Sequence, residues 1–364
     1  MPTTPILAGD PAPWFSAPAT TNPDFAFHSL AGRHVILTFT RRPESQGPAF
    51  TASVPELGLA PAEVVWFFVG SGSTAAAHLP VAPPSVQLFI DAEGMIGRLY
   101  GLAPDETGPI SFVLSPRLQT IAVIDAPDPQ IHAAAIREMR RRLVPLSRWR
   151  ELSGPPPILI ISDIFEPELC RRLIAGYESN GGTVSGFMRE ENGRTVARHD
   201  ARHKVRRDWT IDEADLVKAI QQRFRRRVVP EIQKAYNFSV TRMERYIVAC
   251  YDATEGGHFN AHRDNTTKGT AHRRFACSVN LNAEEFEGGD LRFPEFGHET
   301  FRPPTGGCVV FGCTLLHEAT RVTRGRRYAF LPFLYDEAAA RVRDANRQFI
   351  GTRAGPADPA LASA

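Results

Sequence analysis

The chain has 364 residues, a formal net charge of +2, and 43% hydrophobic and 23% charged residues. This length predicts two domains, each large enough to bury its own core, and the small net charge argues against nucleic acid as a main partner. The N-terminal residues lack a basic segment followed by an apolar core, and no apolar run approaches the ~20 residues of a membrane span, so we expect a cytoplasmic protein that is not embedded in a membrane.

Five cysteines are scattered along the chain, at positions 170, 250, 277, 308 and 313. Their number is odd, and they lack the close pairs that are typical of zinc-binding motifs. We therefore expect reduced thiols.

Residues 1–150 alternate strand-like apolar runs with helical patterns, which predicts an α/β layered fold. The motifs GDPAPWF at 9–15, an apolar run ending at Phe39, DAEGMIGRLYG at 91–101 and PISFVL at 109–114 resemble the thioredoxin-like fold, most closely the peroxiredoxins. On this resemblance we expect Pro109 to follow a cis peptide bond at the start of a strand.

The turn in which a peroxiredoxin carries its nucleophilic thiolate reads TRRPESQGPA at 40–49 here, without a cysteine. Because peroxide attack and disulfide exchange need a thiolate, the activity of that family is not expected. We interpret the domain as a scaffold or docking module that could bind a protein partner. Arg41 and Arg42 could contact an acidic partner, although a solvated turn is the simpler interpretation.

The segment 137–157 passes from a basic, helix-like run into SGPPP. Because three consecutive prolines cannot continue a helix, we place the domain boundary at 150–157. A short strand (ILIISDIF) and an amphipathic helix over 166–178, ending at Gly181 and Gly182, should follow.

The next segment, 183–209, is polar, basic and without clear periodicity, which predicts a lid or binding loop over the site described below. His199 and His203 lie in it and are candidate substrate contacts. Thr210 to Glu213 reads as a capping box that starts a long helix, which Pro230 should kink or divide. Strand-like runs then follow at 243–252, 274–282, 289–294, 307–312 and 327–336.

His262 and Asp264 are two positions apart in HFNAHRDN, so on a strand their side chains would point to the same face. His317 would come from a neighbouring strand. Two histidines and one carboxylate are the ligand set associated with non-haem Fe(II) oxygenases, although zinc also accepts this set. Arg327 follows His317 by ten positions, and its guanidinium could hold the far carboxylate of a dicarboxylic co-substrate.

Residues 156–337 resemble the 2-oxoglutarate and Fe(II)-dependent dioxygenases, in particular the prolyl 4-hydroxylase-like branch. The resemblance implies a double-stranded β-helix (jelly-roll) domain backed by helices over residues 156–340, with a C-terminal tail over 341–364. It is carried by Tyr251, Gly256-Gly257, SVNLN at 278–282, EGGDLRFP at 287–294, Gly306-Gly307, His317, Val322, Gly325 and Arg327, together with the HxD pair.

The resemblance implies that His262, Asp264 and His317 bind Fe(II) and that Arg327 holds the 5-carboxylate of 2-oxoglutarate. Tyr251 and Asn280 are second-rank candidate contacts of the co-substrate. Consumption of O₂ and 2-oxoglutarate would yield succinate and CO₂, and ascorbate is an accessory reductant that such enzymes can use. Because Asp264 retains the carboxylate, hydroxylation or desaturation is favoured over halogenation.

The leading hypothesis is a hydroxylase of an unactivated C–H bond in a prolyl or other peptidyl substrate, with the first domain as docking platform. A tailoring oxygenase for a free amino acid or small metabolite is the alternative within enzymes. A third interpretation is an iron- or oxygen-responsive binding protein in which turnover is incidental.

Overall fold

The computed structural model describes residues 5–70, 72–103, 108–191 and 193–350. The chain divides into two compact units, one formed by Met1–Pro155 with Pro294–His298 and the other by Pro156–Phe293 with Glu299–Ala364. In the described residues, no helix combines the length and the apolar character that a membrane span requires.

The N-terminal unit is built on one mixed sheet. The three strands β3, β4 and β5 run parallel, whereas β6 and β7 form an antiparallel hairpin beside β3. Within the described residues the strand order is β2-β1-β5-β4-β3-β6-β7, with β1 Ser16–Ala19, β2 Asn22–Ala26, β3 His34–Phe39, β4 Val64–Gly70, β5 Val86–Ile90, β6 Ile110–Leu114 and β7 Thr120–Asp125.

Two helices, α1 Pro43–Ser53 and α2 Gly72–His78, connect the parallel strands, because parallel neighbours need a crossover connection. The other helices of this unit are α3 Met95–Leu99, α4 Pro129–Arg142 and α5 Trp149–Ser153. The strands β3 and β4 are buried along their whole length, which is typical of strands covered on both faces. The α/β arrangement predicted for this part of the chain is confirmed.

The prediction of a cis peptide bond before Pro109 is wrong. The bond is trans, and among the described residues the cis bond joins Pro83 to Pro84. A sequence motif distinguishes cis from trans X–Pro bonds poorly, because the trans form is favoured by only about 0.5–1 kcal/mol. The tertiary context therefore decides which isomer forms.

The C-terminal unit contains two main antiparallel sheets. The larger has the order β14-β25-β17-β24-β15-β13-β9, and β21 pairs with both β17 and β8. The smaller has the order β12-β16-β22-β19-β20. Strands β10 and β11 form a separate two-stranded sheet, as do β18 and β23. The first nine strands are β8 Ile158–Ile161, β9 Thr183–Val184, β10 Phe187–Glu191, β11 Arg194–Arg198, β12 Lys204–Val205, β13 Arg207–Thr210, β14 Arg242–Glu244, β15 Ile247–Asp252 and β16 His258–His262. The rest are β17 Phe275–Asn280, β18 Glu287–Gly288, β19 Leu291–Arg292, β20 Thr300–Phe301, β21 Cys308–Gly312, β22 His317–Ala319, β23 Val322–Arg324, β24 Arg326–Phe330 and β25 Phe333–Tyr335.

Helices back the larger sheet. They are α6 Pro167–Asn180, α7 Ala214–Arg223 and α8 Val229–Tyr236, and α9 Glu337–Asn346 follows the last strand. The helix residues Leu173, Ile220 and Phe224 share one buried cluster with the strand residues Val248 and Phe330. Two antiparallel sheets with non-consecutive neighbours and backing helices form the predicted jelly roll.

The predicted capping box at Thr210–Glu213 is wrong. Thr210 belongs to β13 and pairs with Ile247, so its backbone serves the sheet instead of a helix end. Glu213 occupies the N-cap of α7 without a side-chain hydrogen bond. A π-helical turn, Phe224–Val228, joins α7 to α8, and Pro230 lies in the first turn of α8, where its missing N–H is tolerated.

The segment 183–209 is not an unpatterned loop, because it contains the strands β9 to β13. In β10 and β11 most residues are half-buried or exposed, so no alternating apolar pattern marks them as strands. The tail predicted from residue 341 begins inside α9, and its residues 351–364 lie outside the described part of the chain.

Gly306 offers a test of the close packing in this unit. Its φ is +81°, and an added Cβ would lie 2.1 Å from the backbone oxygen of Phe165. We expect Gly306→Ala to lower the free energy of unfolding of the C-terminal unit by ~2 kcal/mol or more, measured by urea denaturation of the full chain. Gly312→Ala is the control, since no atom lies within 4 Å of its Cβ position. Equal unfolding midpoints for the two variants would contradict this packing.

Candidate active site

The pairing of β16 with β22 brings two histidines together from distant parts of the chain. His262 lies at the end of β16 directly opposite His317, the first residue of β22. Asp264 follows β16, and its backbone N–H donates to the carbonyl oxygen of Cys313 at 2.9 Å, which fixes the chain beyond the strand end. The three side chains therefore converge at one end of the smaller sheet.

Their ligand atoms lie close enough to surround one ion. His262 Nε2 is 3.5 Å from Asp264 Oδ1, and His317 Nε2 is 3.3 Å from Asp264 Oδ2. The potential ligand atoms of the three residues all lie within 4.8 Å of one another. Donors at ~2.0–2.2 Å from a common metal are separated by about this much, so the geometry fits a metal ion.

Each histidine ring is oriented by its second nitrogen. His262 Nδ1 lies 2.8 Å from the carbonyl oxygen of Asn260, and His317 Nδ1 lies 3.0 Å from that of Leu315. A carbonyl oxygen can only accept, so each Nδ1 carries the proton and each Nε2 presents a lone pair toward Asp264. This is the tautomer that metal ligation requires.

Burial and neighbouring charges adjust the same groups. Burial, and then the proximity of His317, lowers the pKa of His262 to about 4, so its ring is neutral at pH 7. Burial alone would raise the pKa of Asp264. At the low pH where this carboxylate titrates, the protonated His317 and the hydrogen bond with His262 outweigh burial, and the pKa falls below its usual range. An ionised carboxylate beside a neutral imidazole is the state in which these side chains bind metal.

Aromatic rings hold the two imidazoles in place. Phe259 stacks on His262 with ring centroids 3.5 Å apart, and Phe311 packs against His317 at 4.5 Å. Side chains locked by packing keep ligand geometry fixed without help from the ion.

A pocket of about 490 Å³, part of it open to solvent, adjoins the three residues. Its wall combines apolar side chains with three arginines. It is lined by Arg206, Arg245, Tyr251, Phe259, His262, Asp264, Ala276, Cys277, Ser278, Leu291, Phe311, His317, Ala319, Arg327, Leu331, Pro332 and Phe333.

Arg327, on β24, places a buried cation in this pocket. The residue is 2% exposed, and its Nη2 donates to Ser278 Oγ at 2.7 Å. Its Nε and Nη1 have no hydrogen-bond partner among the described residues. Burial lowers its pKa, yet a guanidinium stays protonated in proteins. Unsatisfied N–H groups on a buried cation fit an incoming carboxylate, which accepts charge-assisted hydrogen bonds.

Tyr251 and Asn280, the other predicted contacts, differ in position. Tyr251 pairs with Arg327 across β15 and β24, lines the pocket, and accepts a hydrogen bond from Arg206 Nη1 at 3.3 Å. Asn280 donates from Nδ2 to the carbonyl oxygen of Pro303 and lies outside the pocket wall, with its Oδ1 3.4 Å from Arg327 Nη2. Its position supports the guanidinium, and its role as a co-substrate contact stays a prediction.

Sequence reasoning missed Arg206 and Arg245, both of which line the pocket. Arg206 precedes a strand in the segment that was interpreted as a loop, and neither residue belongs to a motif. Of the two histidines in that segment, His199 is exposed. The ring of His203 lies 6.4 Å from that of His262, outside the group of potential metal ligands.

Removal of one ligand tests the metal centre. We expect His317→Ala to weaken Mn(II) binding by ~100-fold or more, because it removes a neutral nitrogen donor from a three-residue set. Electron paramagnetic resonance of free Mn(II) in an anaerobic titration measures the affinity. His258→Gln is the control, since His258 lies on the same strand but its Nδ1 contacts the carbonyl oxygen of Gly256. Unchanged affinity in His317→Ala would place the metal elsewhere.

Residues 246–335 match the family model of the 2OG-Fe(II) oxygenase superfamily. A PKHD-type hydroxylase of Pseudomonas fluorescens Pf-5 is 38% identical over 91 residues, which cover 23% of this chain and 39% of that protein. A PKHD-type hydroxylase of Delftia acidovorans is 34% identical over 122 residues, 30% of this chain and 54% of that protein. The chain thus spans about two fifths of the length of the first of these relatives.

Among solved structures, a Trichoplax adhaerens prolyl hydroxylase in complex with a hypoxia inducible factor peptide fragment is 18% identical, with a TM-score of 0.39, covering 55% of this chain and 94% of that chain. A putative thiol:disulfide interchange protein DsbE from Chlorobium tepidum is 22% identical, with a TM-score of 0.29. The match covers 38% of this chain and 96% of that chain. These overall similarities are too weak to assign a function. The match over 246–335 shows that the C-terminal unit contains a 2OG-Fe(II) oxygenase domain.

Proposed function

We propose that the C-terminal unit binds Fe(II) and 2-oxoglutarate and hydroxylates an unactivated C–H bond, with release of succinate and CO₂. The observation that carries this proposal is the buried guanidinium of Arg327, whose Nε and Nη1 lack partners in the described residues. Arg327 lines the same pocket as His262, Asp264 and His317. A metal triad alone would fit several ions, whereas a triad beside an unsatisfied buried cation fits a chelating dicarboxylate.

The donor set suits Fe(II). Two imidazole nitrogens and one carboxylate, presented from one side, leave the other side of an octahedral ion free for co-substrate and O₂. When bound, iron and 2-oxoglutarate together supply oxidative decarboxylation and the oxidation of a nearby C–H bond. Zinc prefers a closed four-coordinate site in structural roles. The adjoining pocket favours a site that keeps positions open for small molecules.

Arg327 positions the far carboxylate of the co-substrate. Its Nη2 is held by Ser278 Oγ, which orients the guanidinium and leaves Nε and Nη1 able to donate. Because the guanidinium cannot rotate freely, little entropy is lost when a carboxylate binds. Apolar side chains on the wall, among them Leu291 and Phe311, exclude water around the reacting groups.

The substrate is proposed on the resemblance to the prolyl 4-hydroxylase-like branch, which supports a prolyl or peptidyl substrate. A free amino acid or small metabolite is the second candidate, and the cation Arg245 on the pocket wall favours it. Docking of a protein partner on the N-terminal unit and a requirement for ascorbate stay predictions. A binding protein responsive to iron or oxygen would produce little succinate even with the correct substrate present.

The anaerobic charge-transfer absorption of an Fe(II) and 2-oxoglutarate complex tests this proposal. We expect the band in the wild-type protein. In Arg327→Gln, half-saturation should need ~10- to 100-fold more 2-oxoglutarate, because charged hydrogen bonds contribute about 1.5–3 kcal/mol. Fe(II) affinity should be unchanged.

Arg324→Gln is the matched control, since Arg324 lies nearby in sequence but its side chain is 73% exposed and pairs with Glu287. The proposal fails if iron-loaded wild-type protein shows no band. It also fails if Arg324→Gln and Arg327→Gln change the 2-oxoglutarate requirement equally.

A further inference from the structure

Arg245 is a pocket residue that the proposed function does not use. It lies between β14 and β15 with φ at +65°, a left-handed conformation that non-glycine residues seldom adopt. Its side chain lines the pocket, with Cζ 5.4 Å from the ring centroid of Phe333. It is 31% exposed, whereas Arg327 is 2% exposed. The two arginines therefore lie at different depths, with Arg245 nearer the solvent.

The ion pair of Arg245 is weak because its acidic neighbour is already engaged. Asp208 accepts two hydrogen bonds from Arg206, Nε to Oδ1 and Nη2 to Oδ2, each at 2.7 Å. Arg245 Nη2 reaches the same Oδ2 at only 3.4 Å. Burial, and then the charge of Arg206, lowers the pKa of Arg245 to about 10, so it remains a cation at pH 7.

Other charges near the pocket are compensated. Arg273 Nε pairs with Glu244 at 2.6 Å, and Arg206 pairs with Asp208. Burial, and then the charge of Arg206, lowers the pKa of Lys204 to about 5, and Lys204 is absent from the pocket wall. With Fe(II) and 2-oxoglutarate bound, the positive charges are the 2+ of the metal and the 1+ of Arg327. They balance the three negative charges of Asp264 and the two co-substrate carboxylates. Arg245 is then the pocket-lining cation left without a full counter-charge among the described residues.

Tyr251 contacts the two deeper arginines of the pocket, Arg327 and Arg206. Its ring centroid lies 5.3 Å from Arg327 Cζ and 5.7 Å from Arg206 Cζ, and its hydroxyl accepts from Arg206. Arg206 in turn shares Asp208 with Arg245. A chain of contacts therefore connects the most buried cation with the more exposed one, in the order Arg327, Tyr251, Arg206, Asp208, Arg245.

We propose that the primary substrate carries a carboxylate or phosphate group and that Arg245 binds this group at the solvent side of the pocket. This inference rests on the proposed function, because the charge balance assumes Fe(II) and 2-oxoglutarate in the site. It makes Arg245 a specificity residue that selects small anionic substrates. A neutral peptide segment that covered Arg245 would remove its charge from water without supplying an anion, which is unfavourable.

Paramagnetic broadening tests the anion site without turnover. Protein loaded with Mn(II) and 2-oxoglutarate is mixed with acetate, inorganic phosphate or neutral acetamide, and their ¹H and ³¹P signals are recorded against a Zn(II)-loaded reference. We expect broadening of acetate, phosphate or both, but not of acetamide. The anion that is broadened more identifies the chemical group.

In Arg245→Gln the affinity derived from this broadening should fall by ~10-fold or more, and Arg245→Lys should restore part of it. Arg171→Gln is the control, since its side chain is 70% exposed on α6. The 2-oxoglutarate titration of Arg245→Gln should match wild type, which shows that the pocket is intact. Equal broadening in wild type and Arg245→Gln, or none in wild type, overturns the inference. Failure of the proposed function is recognised separately, by the absence of the charge-transfer band.

Discussion

The buried charge of Arg327 is the constraint on which the site depends. A guanidinium at 2% exposure with two unsatisfied nitrogens is costly unless an anion completes it. The strand order fixes the position of this charge. Strand β24 lies between β15 and β17, so that Arg327 pairs with Tyr251 on β15 and donates to Ser278 on β17. The metal-ligand set comes from the other sheet, through the pairing of His262 with His317. The pocket is the space that these two sheets enclose.

Much of this arrangement could be predicted from the sequence, because the chemistry is local. Residue types at short spacing, His262 with Asp264 and then His317 with Arg327, indicated a ligand set and a cation before any contact was known. One local assumption was inexact: Asp264 lies beyond the end of β16 and is held by the carbonyl oxygen of Cys313 instead of by strand alternation. The apolar strands of the N-terminal unit were equally clear, since buried parallel strands read as continuous hydrophobic runs.

The rest could not be predicted because it depends on long-range pairing. Strands β10 to β13 carry charged residues with little alternation, so their sequence resembles a loop. Arg245 belongs to no sequence motif: its left-handed φ lies in the connection between β14 and β15, and Asp208, with which it pairs, comes from β13. The helix start at Thr210 failed for the same reason, since cross-strand hydrogen bonds outcompeted a local cap.

The most direct test of the central claim is an anaerobic crystal structure of the full chain with Mn(II) and 2-oxoglutarate. The account predicts a metal ion bound by Nε2 of His262, Nε2 of His317 and Asp264, and a co-substrate whose far carboxylate accepts a hydrogen bond from Nε or Nη1 of Arg327. A metal held by other residues would contradict it. A 2-oxoglutarate molecule that leaves both Arg327 nitrogens without a partner would contradict it equally.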